Sequence, residues 1–270
     1  MKISNSEFLE KYKQLFLDGT LGTNFLAFWK MKWFIENGET FYLPEYDCWY
    51  MIRDNHLLVY YSPDNQIHLS IYELNALDCI SLPAALYDSI KDRLIGFNAQ
   101  YEWSLRYDFS YIPKTQSSLY EAIDFDFSNE QHYQLAASMI NNGNDDYDWS
   151  YNGSNIKKMT KYSVFDPTLW FFVKDKGTQD LAAVVISAFD KEMRQTNIDW
   201  VAVFSAYQGK GVGRFMIEET IRRCKDKSDT IVLGAGSEED FYRKCGFVNH
   251  EEWVWAPKDG YKFKAAGIQP

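Results

Sequence analysis

Apolar positions change period several times along the chain, and each change marks an element. Ser4-x-x-Glu7 reads as a capping box, with Phe8, Leu9, Tyr12, Leu15 and Phe16 following on one helical face until Gly19 and Gly22 break it. Residues 24–36 predict a second helix, so dense in Phe25, Phe28, Trp29, Met31, Trp33 and Phe34 that most of its sides must be buried. Period two takes over at 48–52, 56–61 and 67–72. Asp54-Asn55 and the run 62–65 separate these stretches, which predicts an antiparallel meander. Pro83 opens a helix over 84–94, and aromatic strand material returns at 97–111.

The polar stretch 113–118 marks a boundary. It separates an N-terminal α+β domain, 1–115, from a second domain, 119–258, with a tail at 259–270. The second domain begins with a strand at 120–125 and a helix capped by Ser128-x-x-Gln131 that carries Leu135, Ala136, Met139 and Ile140. A loop at 141–149 and a short helix at 155–162 follow. Strands are expected at 169–173, 181–187, 198–203 and 230–235. Ser237 caps a helix with Phe241 and Tyr242, Gly246 stops it, and a last strand covers 252–255. The class is α/β of the α+β kind.

The chemistry concentrates between Ile198 and Arg214. An alternating stretch ends there, Gly209, Gly211 and Gly213 follow at spacing two, and a helical pattern through Met216, Ile217, Thr220, Ile221 and Cys224 comes directly behind. A glycine turn at a helix mouth gathers backbone N–H groups where the helix dipole is positive, which suits a phosphate or diphosphate. A P-loop is excluded, because Lys210 precedes Gly211 and no hydroxyl residue follows. A dinucleotide fold is excluded by the spacing and by the short chain remaining. A ligand-free turn is the plain alternative.

Gln208-Gly-Lys-Gly211-Val-Gly213 resembles the Gln/Arg-x-x-Gly-x-Gly/Ala signature of the GNAT acetyltransferase superfamily. Phe241-Tyr242-x-x-x-Gly246-Phe247 is similar to the segment that closes that fold. The resemblance covers about 119–258 and implies a mixed central sheet that splays open to admit acetyl-CoA. It implies diphosphate binding by the backbone of Gln208, Gly209, Lys210, Gly211, Val212, Gly213 and Arg214. Val201, Ala202 and Val203 would offer backbone groups to the pantetheine arm, with the Val203 N–H reaching the thioester oxygen. Tyr242 would be the general acid; its plain reading is a packing tyrosine. Asp199 would be the base, acting through a water, or a strand-edge carboxylate in a hydrogen bond. The family often has an Asn where this chain has Ala235. Asp145, Asp146, Asp148 and Trp149 fall in the loop that borders the family's acceptor pocket, where a negative rim with an aromatic wall suits a cationic amine; a solvated loop is the alternative. The implied activity is acetyl transfer to a primary amine of a small molecule or peptide. Longer acyl groups, a hydroxyl acceptor, or a catalytically lapsed module that binds coenzyme A or a partner are the other outcomes. The front domain has no glycine loop and reads as a degenerate copy of the same fold. Whether it shapes the pocket, forms a homodimer or simply packs stays open.

Composition narrows the partners. A hydrophobic share of 46% supports packed cores. The net charge of −10 argues against nucleic acid, which needs basic patches. The four cysteines have no metal-like spacing and fit reduced, buried thiols in a cytoplasmic protein. His56 and His68 read as ordinary strand histidines, so no metal is expected. No signal-peptide core or membrane-length apolar run is visible.

Overall fold

The computed structural model describes residues 1–19, 27–113, 117–142, 151–235 and 238–261. Helix α1 (Asn5–Leu17) starts at its expected cap, with the Ser4 hydroxyl accepting from the Glu7 amide at 3.2 Å and Phe8, Tyr12 and Leu15 buried. Helix α2 (Phe28–Glu36) buries Phe28, Met31, Phe34 and Ile35; its expected beginning near Asn24 lies outside the described residues. Strands β1 (Glu39–Leu43), β2 (Cys48–Arg53) and β3 (His56–Tyr61) form an antiparallel meander. Asp54 and Asn55 turn between β2 and β3 with positive φ, as a two-residue hairpin requires.

The third strand expected at 67–72 does not form. Helix α3 (Ile71–Ala76) starts inside that stretch, because Ser70 and Glu73 close a reciprocal capping box. Two satisfied helix-end groups outweigh the alternation of Ile67, Leu69 and Ile71. Strand β4 (Cys79–Pro83) then runs parallel to β3. Helix α4 (Ala84–Asp88) is shorter than the expected 84–94 and gives way to a 3-10 turn, and β5 (Gln100–Tyr107) follows. His56 is buried between Ser81 Oγ (2.8 Å) and Tyr261 Oη (3.1 Å), and burial pushes its pKa down to about 3. His68 instead meets Asp64 at 3.0 Å and stacks on Tyr46.

The chain continues with β6 (Tyr120–Asp124), α5 (Glu130–Asn142), α6 (Gly153–Met159), β7 (Phe171–Asp175), β8 (Leu181–Asp190) and β9 (Gln195–Val203). It ends with α7 (Val212–Cys224), β10 (Thr230–Ala235), α8 (Glu239–Lys244) and β11 (Val248–Pro257). Ser128 does not cap α5. Its hydroxyl is held by the Asp126 carboxylate at 2.6 Å, and the Gln131 amide donates to Asn129 Oδ1 at 3.0 Å. Helix α6 begins ahead of the expected 155 because Asn152 and Asn155 cap each other's backbone. Ser237 lies outside the described residues.

Contacts divide the chain into two compact units. One holds Met1–Leu105, Gly234–Arg243 and the last strand; the other holds Arg106–Leu233 and Lys244–Phe247. In the first, the strand order is β1-β2-β3-β4-β11-β5. Its core gathers Leu57, Ile80, Leu82, Val254 and Ala256. In the second, the order is β10-β9-β8-β7-β6, antiparallel except for the β9–β10 pair. Strand β11, which closes the 119–258 segment, pairs antiparallel with β4 in the first unit.

The order of elements runs twice along the chain. Two helices, three antiparallel strands, a helix, a strand parallel to the last of those three, a helix and a strand follow each other in α1–β5 and again in α5–β11. The bridge of Lys2 to Phe41 even stands where β6 pairs with β7 in the second run.

Gly246, in the second unit, has φ +96, and a Cβ there would sit 3.0 Å from the Tyr107 ring, which itself packs on Phe247. Both terms oppose any side chain. Gly246→Ala is expected to destabilise the protein by about 2 kcal/mol in urea unfolding, from left-handed strain and crowding.

Candidate functional site

Strand β9 shapes the second unit's site. It pairs with β8 along its length, but with β10 only at Gln195, Thr196 and Asn197. Beyond Asn197 its other edge has no β10 partner. The Phe204 amide donates to the Ala182 carbonyl at 3.0 Å. Antiparallel alternation therefore turns the amides of Ala202 and Trp200 toward β8, and those of Val201 and Val203 toward the open edge. Of the three residues expected to meet the pantetheine arm, Ala202 has its backbone committed to β8. The Val203 carbonyl lies 3.5 Å from Gln208 Nε2.

Asp199 is the extra residue of a β-bulge. Ile186 pairs with Trp200 and Ser187 with Ile198, so Asp199 has no opposite number. A bulge bends the strand and re-aims its side chain. The Asn197 amide group donates to Asp199 Oδ1. Tyr151 and Tyr162 both feel its charge: burial pushes their phenols up, and the carboxylate pushes them further. The Trp200 indole hydrogen-bonds Tyr151, with the rings edge to face at 5.1 Å. Tyr151 is in turn clasped through its backbone by Asn141, at 2.8 Å in both directions. Sequence patterning did not single out Tyr151, Tyr162 or Trp200, because their meeting at Asp199 depends on the bulge.

After β9 a 3-10 turn (Ser205–Tyr207) leads to the glycine loop. Gly209 has φ +71, and Gly211, the N-cap of α7, has φ +85. Nothing lies within 4 Å of where a Cβ would stand on either, so the backbone angle alone demands glycine there. Gly213 sits in the first turn of α7. No side chain caps this helix. The Gly211 carbonyl accepts from the Phe215 amide at 3.2 Å, and Lys210 N–H reaches Tyr207 O at 3.4 Å. Among the described residues, the amides of Gly209, Gly211, Val212, Gly213 and Arg214 have no acceptor. A mouth of free donors on a 13-residue helix has the geometry an anion requires.

The surroundings fix the loop. Tyr207 bonds Asp180 at 3.1 Å and Thr178 at 3.0 Å, and the exposed Lys210 ammonium lies 5.5 Å from its ring centre. Arg214 pairs with Glu218 at 2.9 Å along the helix. Tyr120 donates to the Lys210 carbonyl at 2.9 Å, a contact across 90 residues that periodicity cannot reveal.

The first unit has the same position in its element order, and it is closed. The Ser70 hydroxyl takes the Glu73 amide at the mouth of α3, and the Glu73 carboxylate takes the Ser70 amide. That carboxylate already occupies the place an anion would need.

Tyr242 lies on α8 in the first unit, half-buried and edge to face with Phe241 at 5.0 Å between ring centres. Asp145, Asp146, Asp148 and Trp149 lie outside the described residues. Among the described residues no group of three His, Cys, Asp or Glu could hold a metal ion.

Residues 167–249 match the family model of the acetyltransferase (GNAT) domain, an interval that contains β9, the glycine loop and Tyr242. No curated protein matches the chain. Among solved structures it is similar to a GCN5-related N-acetyltransferase from Sphaerobacter thermophilus, at 12% identity and TM-score 0.63 over 82% of this chain and 80% of that one. It is also similar to an acetyltransferase of the GNAT family from Colwellia psychrerythraea, at 12% identity and TM-score 0.59 over 96% and 99%. A GCN5-related N-acetyltransferase from Kribbella flavida gives 10% identity and TM-score 0.57 over 88% and 95%. At these identities the likeness is one of fold.

The electrostatic link at the bulge is open to titration. Asp199→Asn removes a negative charge that disfavours phenolate, so Tyr151 and Tyr162 should ionise at lower pH. NMR of isotope-labelled tyrosine rings across alkaline pH checks this; unmoved resonances would place the carboxylate away from both rings.

Proposed function

We propose that the protein is an acetyl-CoA-dependent N-acetyltransferase acting on a primary amine of a small molecule or peptide. One observation carries this reading: unsatisfied amides at the mouth of α7 stand beside a strand edge that its neighbour has left unpaired. A diphosphate fits the first and an amide-bearing arm the second. The family match at 167–249 supports the pairing of the two.

The reaction forms a bond between the amine nitrogen and the acetyl carbon and breaks the carbon–sulfur bond. The amides of Gly209 and Gly211–Arg214 hold the diphosphate. The backbone groups of Val201 and Val203 extend along the arm as an added strand would, and the Val203 N–H polarises the thioester carbonyl. Asp199 accepts the amine's proton through a water, because its side chain is short. Tyr242 supplies a proton to the departing sulfur, a step open to a neutral phenol because a thiolate is of comparable basicity. The front half, with its repeated element order, is a copy of the fold whose anion site has been closed by Ser70 and Glu73. No helix among the described residues is long and apolar enough to cross a membrane, and the buried, unbridged Cys48, Cys79 and Cys224 agree with a reducing, cytoplasmic setting.

The test is a thiol-release screen with acetyl-CoA over polyamines, aminoglycosides, amino acids and peptides. Calorimetry with acetyl-CoA accompanies it. Gly211→Val should weaken acetyl-CoA binding at least about tenfold, because a β-branched residue resists φ +85 and the donors scatter. Wild-type affinity in that variant would remove the loop from the site. Tyr242→Phe should keep the affinity and lose at least about tenfold in kcat; unchanged turnover would leave Tyr242 a packing residue. Binding without turnover across the whole screen would favour a lapsed coenzyme A-binding module.

A further inference from the structure

The glycine loop has an anchor outside itself. Tyr120 is 6% exposed, at the start of β6, and its ring packs among Val212, Phe215 and Met216 in the first turns of α7. Its ring centre lies 6.1 Å from that of Phe215. The hydroxyl passes this apolar contact and donates to the Lys210 carbonyl at 2.9 Å. That carbonyl belongs to the same planar peptide unit as the Gly211 N–H, and in a trans peptide the two point in opposite directions. Holding one end therefore aims the other. A flip of this unit turns on the ψ of Lys210 and the φ of Gly211, now +85, and glycine tolerates either sign of φ. Left alone, this peptide is free to flip and withdraw its N–H from the mouth of the helix. The other bond nearby, Lys210 N–H to Tyr207 O at 3.4 Å, restrains the preceding peptide and not this one.

We infer that Tyr120 is a positioning residue for diphosphate binding: its hydroxyl fixes the Lys210–Gly211 peptide so that the Gly211 amide faces the anion. This rests on the acetyl-CoA reading of the loop. Tyr120 touches no reacting atom, so its effect must appear in the affinity for the diphosphate and nowhere else.

Tyr120→Phe keeps the ring and removes only the hydroxyl. Binding of coenzyme A and, separately, of pantetheine, which has no diphosphate, is followed by intrinsic fluorescence in wild type and variant. The expected result is a Kd for coenzyme A raised at least about fivefold, the scale of one lost hydrogen bond, with the Kd for pantetheine unchanged. Equal weakening of both ligands would make Tyr120 a residue of general packing and overturn the inference. An unchanged Kd for coenzyme A would overturn it as well. A wild-type protein that binds pantetheine and coenzyme A equally, or neither, would instead bring down the acetyl-CoA reading, and the inference with it.

Discussion

Strand β9 is hydrogen-bonded to β10 at three residue pairs and then no further. Two features of the second unit sit at that early end to the pairing. A fully zipped pair would consume the edge groups of Val201 and Val203. The bulge at Asp199 falls just past the last pair, where a strand released on one side can take the extra residue. Both features arise within a handful of residues, and the glycine loop begins directly after them.

The two runs of elements show how one arrangement can leave its helix-mouth donors free or satisfy them. Helix α7 opens with Gly211 and has no side-chain cap. Helix α3 opens with Ser70, whose hydroxyl and whose partner Glu73 satisfy each other's backbone. The second choice gives a more stable helix end, by about 1 kcal/mol for a good cap. The first leaves donors unmet and forgoes that stability. A binding site at a helix mouth is, in this sense, a deliberately unfinished helix.

Much of this was legible in the residues. The spacing of Gly209, Gly211 and Gly213 ahead of a helical pattern located the loop; apolar runs located β7 and β8, and an alternating stretch located β9. The failures have physical causes. The alternation at 67–72 resembled a strand because Ile67, Leu69 and Ile71 are apolar, while the Ser70–Glu73 cap that decides the matter is a local hydrogen-bond exchange. Ser128 was the wrong cap for α5 because Asp126 captures its hydroxyl first. The meeting of Tyr151, Tyr162 and Trp200 near Asp199 requires a bulge, which no periodicity announces. Tyr120 reaches Lys210 only because tertiary packing brings β6 beside the start of α7.

The pairing of β11 with β4 has a consequence for how the chain comes into being. The first unit is seeded by the opening residues but completed by the closing ones: Trp253–Pro257 line up against Cys79–Pro83, the Lys258 ammonium caps the Asn75 carbonyl at 2.5 Å, and Tyr261 meets His56. During synthesis the edge of β4 therefore waits, unpaired, while the ribosome makes the whole of the intervening unit. The second unit can close most of its sheet in the meantime. Translation order and folding order are thus opposed in this protein, and the half made first is the half finished last.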